Sequence, residues 1–159
     1  MKTFNGRVAV ITGGGSGLGK ALARAAAQRG MKLVLADIQA DVLEQTVQAL
    51  RSQGTEAVGV VVDVSDAAAV QRLADQAQQS FGPVHVVFNN AGVTAGGLVW
   101  EHSEKDWEWL LGVNLKGVIN GVRCFTPRML AAAAADPAYE GCIVNTASMA
   151  GLLTSPGMG

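Results

Sequence analysis

The stretch Arg7-Val8-Ala9-Val10-Ile11-Thr12-Gly13-Gly14-Gly15-Ser16-Gly17-Leu18-Gly19-Lys20 decides the fold. A short apolar run ends at Thr12 and passes straight into glycines, which reads as a buried strand followed by a tight turn. Residues 16–30 then carry Leu18, Leu22 and Ala25/Ala26 on one face and stop at Gly30, the pattern of a helix with its terminator. Strand, glycine turn and helix in this order make the first half of a βαβ unit.

The chain repeats that order. Residues 32–37 (KLVLAD) predict a second strand, and 41–53 a helix through Val42, Leu43, Val47 and Leu50. Residues 56–62 (EAVGVVV) predict a third strand, and Ser65, with Asp66 behind it, caps a helix reaching about Phe81. Gly82-Pro83 turns the chain into a fourth strand over 84–88 (VHVVF), with His85 mid-strand. Residues 92–97 are a loop, after which Ser103 and Asp106 form a capping box for a long helix over 104–135. Pro127 predicts a kink or break in that helix, and Asp136-Pro137 ends it. A fifth strand follows at 141–146 (GCIVNT), and 151–159 reads as loop. Apolar strands separated by helices of crossover length predict an α/β, doubly wound parallel sheet with helices on both faces.

Composition narrows the function. The 159 residues suit one domain, 1–159. Hydrophobic residues at 49% against 16% charged exclude disorder. Lys+Arg 12 against Asp+Glu 13 leaves no basic footprint for nucleic acid. No apolar run approaches the roughly 18 residues of a membrane span, and the polar start over residues 1–7 is not that of a signal peptide. The two cysteines, Cys124 and Cys142, lack metal-ligand spacing, so no metal site is expected. They read as reduced, partly buried thiols of a cytoplasmic protein.

Glycine-rich backbone followed by a helix N-terminus is a phosphate-binding arrangement. Two phosphate motifs compete for it here. Gly14-x-x-x-x-Gly19-Lys20 matches a P-loop until its last position, where Ala21 stands in place of the Ser or Thr that would hold Mg²⁺. The spacing Gly13-x-x-x-Gly17-x-Gly19 instead fits a dinucleotide turn, with Gly15, Ser16 and Leu18 inside it. Asp37, at the end of the second strand, stands where a carboxylate accepts hydrogen bonds from adenosine ribose hydroxyls, with Ile38 beside it. Asp63-Val64 and Asn89-Asn90-Ala91-Gly92 occupy the ends of the third and fourth strands, where a Rossmann-type sheet binds its ligand.

With these residues in place, the sequence resembles the short-chain dehydrogenase/reductase family along essentially its whole length. Thr12-Gly13-x-x-x-Gly17-x-Gly19 is similar to the family's cofactor turn, Asn89-Asn90-Ala91-Gly92 to its NNAG motif, and Asp63 to its adenine-contacting Asp. Asn114, in Gly112-Val113-Asn114-Leu115, resembles the active-site Asn, and Ser148, in 143–151 (IVNTASMAG), the catalytic Ser. The resemblance implies hydride transfer between a nicotinamide and a carbonyl or secondary alcohol. Ser148 would hydrogen-bond the substrate oxygen, and Asn114 would hold a water in the proton relay. It also implies a homodimer or homotetramer built around the long helix.

The sequence departs from the family at one point. The family's acid/base Tyr, with a Lys four residues on, lies roughly a dozen residues beyond the catalytic Ser. Here the residues given end at Gly159. The one tyrosine, Tyr139, precedes the fifth strand and reads as a surface loop residue. The expectation is a domain cut after its fifth strand, lacking the acid/base pair and inactive alone; the alternative is a module that binds cofactor without catalysis. A fifth strand at a bare sheet edge predicts poor solubility or self-association. Asp37 followed by Ile38, with no base in the turn, predicts NAD over NADP, whose 2′-phosphate a carboxylate repels. Trp100, Trp107 and Trp109 read as core or oligomer packing, and His85 and His102 as structural or solvent-facing.

Overall fold

Strand alternation divides the core into two layers. In β1 (Val8–Thr12), Val8 and Val10 face one side of the sheet, Ala9 and Ile11 the other, and all four are buried. The computed structural model describes residues 3–153 and Gly157. It continues through α1 (Gly17–Ala27), β2 (Lys32–Asp37), α2 (Ala40–Arg51), β3 (Ala57–Val61), α3 (Ala67–Phe81) and β4 (Val86–Asn89). After α4 (Glu104–Leu111) and α5 (Gly117–Ala135) comes β5 (Cys142–Asn145).

The sheet is parallel with the order β3-β2-β1-β4-β5. The chain winds outward from β1 to β3, then crosses back to place β4 on the other flank of β1. One core layer packs Ala9, Ile11, Leu33 and Leu35 against α1 and α2. The opposite layer packs Val10, Val34 and Val87 against Val70 and Leu73 of α3 and Phe125 of α5. Each fully buried Leu, Ile or Phe contributes about 1.5–3 kcal/mol, so the two layers carry the fold.

Several sequence expectations are corrected. Asp66, not Ser65, caps α3: its carboxylate accepts the Ala68 N–H at 2.8 Å. Ser65 is drawn back instead, donating its hydroxyl and N–H to Asp63 Oδ1 at 2.7 and 2.9 Å. The capping box on α4 forms as expected, with Ser103 and Asp106 bonding reciprocally. The helix expected over 104–135 is interrupted, but at a π-helical turn, Gly112–Lys116, and not at Pro127. Pro127 and Arg123 lie on the exposed side of α5, where water can satisfy the Arg123 carbonyl that the proline leaves without its N–H.

Leu18 does not join the core and is 56% exposed. Helix α1 buries Gly19, Ala23 and Ala26 instead, small residues that bring it close to the sheet. The three tryptophans are not core residues either: Trp100 is 79%, Trp107 37% and Trp109 49% exposed. Both cysteines are free; Cys124 is partly buried, but Cys142 is exposed on the outermost strand. Burial raises the Cys124 thiol pKa.

Tyr139 is not a surface residue. It is half-buried, its ring sits 5.1 Å from that of His85, and its hydroxyl donates to the Val84 carbonyl. Burial pushes the phenol's pKa up. His85 stands just before β4 and is structural: its Nδ1 accepts the Val8 N–H at 3.2 Å, and Arg7 Nη1 lies 2.9 Å from Nε2. Burial and the Arg7 charge lower its pKa. A 3₁₀ turn, Met149–Gly151, leads into the expected loop over 151–159, of which residues 154–156, 158 and 159 lie outside the described residues.

Candidate functional site

The carboxyl ends of β1, β2, β3 and β4 surround a cleft of about 390 Å³. It opens where the winding reverses, between β1 and β4, the position that open α/β sheets use for ligands. Gly13, Ser16, Gly17, Leu18 and Gly19 form its floor at the N-terminus of α1. Asp37 and Ile38 bound one side, Asp63 and Val64 the far end, and Asn90, Ala91 and Gly92 the side of β4.

The turn has no space for side chains at two positions. Gly13 has φ +65°, and a Cβ there would meet Ala91 Cα at 3.0 Å. A Cβ at Gly19 would land on the Gly13 carbonyl. Helix α1 can therefore start directly beneath the turn, leaving its first N–H groups free toward the cleft.

Gly15 is buried and does not line the cleft. Its N–H donates to Asp37 Oδ2 at 2.9 Å, and its carbonyl accepts the Thr46 hydroxyl at 2.8 Å. It fixes the Asp37 carboxylate, whose other oxygen accepts the Gln39 N–H at 3.1 Å. Each oxygen keeps acceptor capacity for a further donor. The carboxylate is nearly buried, while Ile38 beside it is exposed.

The residue that joins the two halves of the site is Thr12, which opens the cofactor-turn motif but was given no role of its own from the sequence. The Thr12 hydroxyl donates to the Phe88 carbonyl at 3.2 Å and accepts the N–H groups of Asn90 and Ala91 at 2.9 and 3.0 Å. Asn90 returns the contact, donating Nδ2 to the Thr12 carbonyl at 3.0 Å. Thr146 donates to Asn90 Oδ1 at 3.1 Å, and Asn89 Nδ2 to Asn145 Oδ1 at 2.8 Å, so the ends of β1, β4 and β5 form one polar seam. A hydroxyl closing a strand just before a glycine turn was the available signal. Gln39, Val62, Val93, Trp109, Val113 and Thr146 also line the cleft. Their signal is weaker, because nothing in their spacing marks a ligand.

The two residues expected at the chemistry lie outside the cleft lining. Asn114 sits in the π-helical turn, and its carboxamide brackets Val93: Oδ1 accepts the Val93 N–H and Nδ2 donates to the Val93 carbonyl, both at 2.9 Å. It therefore ties the loop after Gly92 to the helical segment. Ser148 is exposed, with its Oγ accepting the Ala150 N–H at 3.1 Å.

Known proteins share this architecture. A dehydrogenase/reductase of CLA biosynthesis from Lactiplantibacillus plantarum is 38% identical over 158 residues, covering 99% of this chain and 54% of its own. The C alpha-dehydrogenase of Sphingobium sp. is 40% identical over 156 residues, 98% of this chain and 50% of its own. A short-chain dehydrogenase/reductase from Burkholderia phymatum, solved in complex with NAD, superposes with a TM-score of 0.94 at 54% identity, covering 99% of this chain and 54% of that one. The chain thus spans about half the length of the relatives it matches. The family model for short chain dehydrogenases matches residues 7–159, and the chain belongs to that family.

Proposed function

We propose that this chain supplies the NAD(H)-binding half of an oxidoreductase acting on a carbonyl or secondary alcohol. The observation that carries the reading is Asp37, whose carboxylate is held at the cleft wall by the Gly15 and Gln39 N–H groups. Two fixed oxygens with spare lone pairs suit a vicinal diol such as a ribose. The turn at Gly13, Ser16, Gly17, Leu18 and Gly19 would hold the pyrophosphate against the N-terminus of α1. Asp63 and Val64 would flank the adenine, and Asn90, Ala91 and Gly92 the nicotinamide end. Bound there, the nicotinamide supplies the carbon that gives or takes hydride.

The chain's own residues have assigned tasks in this reading. Ser148 orients the substrate oxygen by hydrogen bonding, and Asn114 holds a water that passes protons. The family's NAD-bound member supports the cofactor class. The preference for NAD over NADP rests on charge: a 2′-phosphate would meet the Asp37 carboxylate, and exposed Ile38 offers it no cation. A homodimer or homotetramer is supported by Leu111, Leu115, Ile119 and Val122, exposed along α4, the π-helical turn and α5. Two free cysteines fit a cytoplasmic setting.

A second reading, cofactor binding without turnover, is favoured by Tyr139. Its hydroxyl is committed to Val84, and Ile143 stands four residues on, where a Lys would be needed. Fluorescence titration with NADH and NADPH tests the common part. Binding of NADH tighter than NADPH is expected; tighter NADPH binding overturns the preference, and binding of neither overturns the site. Turnover of secondary alcohols by this chain would remove the second reading.

A further inference from the structure

We infer that Asn120, a residue with no place in the motifs above, is a positioning residue for the adenine end of the cleft. The inference rests on the NAD(H) reading and goes beyond it by naming what shapes that end. Asn120 lies on α5, far in sequence from the cleft residues, yet it is only 6% exposed. Its Nδ2 donates to the Val64 carbonyl at 2.9 Å, with the Ser65 carbonyl at 3.4 Å.

That contact fills a gap in the backbone. Strand β3 ends at Val61 and α3 begins at Ala67, so the Val64 carbonyl belongs to neither ladder. Val64 itself is buried, and a buried carbonyl without a donor is unfavourable. Asn120 satisfies it from the neighbouring helix. The approach is close because Gly117 and Gly121, one turn apart on one face of α5, bring the helix in beside Asn120. A Cβ at Gly117 would meet Val64 Cγ2 at 2.7 Å, and one at Gly121 would collide with Asn89 Oδ1.

The consequence reaches the cleft through two residues. Val64 and Asp63 both line it, and Asp63 Oδ1 is spent on the Ser65 hydroxyl and N–H. With Val64 and Ser65 held by Asn120, and Asp63 Oδ1 held by Ser65, the other Asp63 oxygen keeps its acceptor capacity for a ligand in the cleft. The same run of chain carries Asn114, six residues earlier, so the helical segment braces the cleft at both ends. Asn120 acts on the adenine end alone, since none of its hydrogen bonds reaches the turn or the residues at Asn90.

The test separates adenine from nicotinamide recognition. ADP-ribose and nicotinamide mononucleotide are titrated into the wild-type chain, Asn120→Ala and Asn120→Asp. Loss of one buried donor is expected to weaken ADP-ribose about tenfold in Asn120→Ala and to leave nicotinamide mononucleotide unchanged. Asn120→Asp keeps the shape but turns the donor into an acceptor facing a carbonyl. It should lose ADP-ribose binding at neutral pH and regain it as the pH is lowered and the carboxyl takes up a proton. Equal affinity of all three proteins for ADP-ribose, or parallel loss of both ligands, overturns the inference. Should the variants not fold, the wild-type side-chain NH₂ resonance of Asn120 decides. A shift on adding ADP-ribose but not nicotinamide mononucleotide supports the proposal, and no shift with either overturns it. Failure of the wild-type chain to bind ADP-ribose at all overturns the NAD(H) reading instead.

Discussion

Gly19 has no room for even a methyl group, because the Gly13 carbonyl fills the space above it. Overpacking of this kind costs about 1–3 kcal/mol. Gly19→Ala is therefore expected to weaken NADH binding about tenfold or more in a fluorescence titration; unchanged affinity would mean the turn opens freely. His85 makes a prediction of a different sort. Its Nδ1 accepts the Val8 N–H and the Arg7 guanidinium lies beside Nε2, so burial and a like charge oppose an added proton and outweigh the Pro83 carbonyl that would accept it. Its native pKa lies below the ordinary 6.5, and the unfolded chain takes up the proton first as pH falls. The associated stability is present above about pH 6.5 and is lost progressively below it, toward the depressed native pKa. Melting curves at pH 7 and pH 5 should show a drop that His85→Gln reduces; an equal drop in both proteins would assign the acid sensitivity elsewhere. Tyr139→Phe deletes the donor to Val84 and should lower stability by about 1 kcal/mol in urea unfolding.

At the scale of elements, β5 is the outermost strand, with Cys142, Val144 and Asn145 exposed. Among the described residues no strand pairs with its outer side, and an apolar strand edge in that position favours self-association. Val144→Lys is expected to shift the chain toward monomer in light scattering without altering NADH affinity. Strands and early helices were legible because their residues repeat a local pattern: Val42, Leu43, Val47 and Leu50 mark α2 as a helix wherever it packs. The π-helical turn was not legible. It depends on Asn114 reaching Val93, a contact between segments 21 residues apart that no local periodicity records. Pro127 misled for the complementary reason: whether a proline breaks a helix depends on where its orphaned carbonyl points, and only packing decides that.

Taken whole, the molecule puts every glycine-turn and strand-end motif on one side of the sheet. The motifs were readable because each sits at a strand's carboxyl end, and parallel winding gathers those ends automatically. Asn120 was not readable as part of the site, and Thr12 was readable only as the start of the turn motif, since an Asn in a helix and a Thr ending a strand are common and acquire their roles only from what faces them. A cleft assembled from so many segments couples ligand binding to global stability. NADH at about 100 times its Kd should add about 2.7 kcal/mol, raising Tm by roughly 5–10 °C for a chain of this size. A melt unmoved by saturating NADH would contradict the proposed site.

The strand order carries a further consequence for biosynthesis. β1 leaves the ribosome early and meets β2 soon after, yet its other flank waits for β4, where Ala9 aligns with Val86. At about 5–20 residues per second, that delay is roughly 4–15 s. Throughout it, the central strand of the future sheet presents a greasy, unpaired edge. The glycine turn is equally unfinished, because Thr12 bonds to Asn90 and Ala91, which have not yet been made. Nucleotide therefore cannot template early folding. Cofactor binding is thus a late event, open only once the β4 end has joined β1.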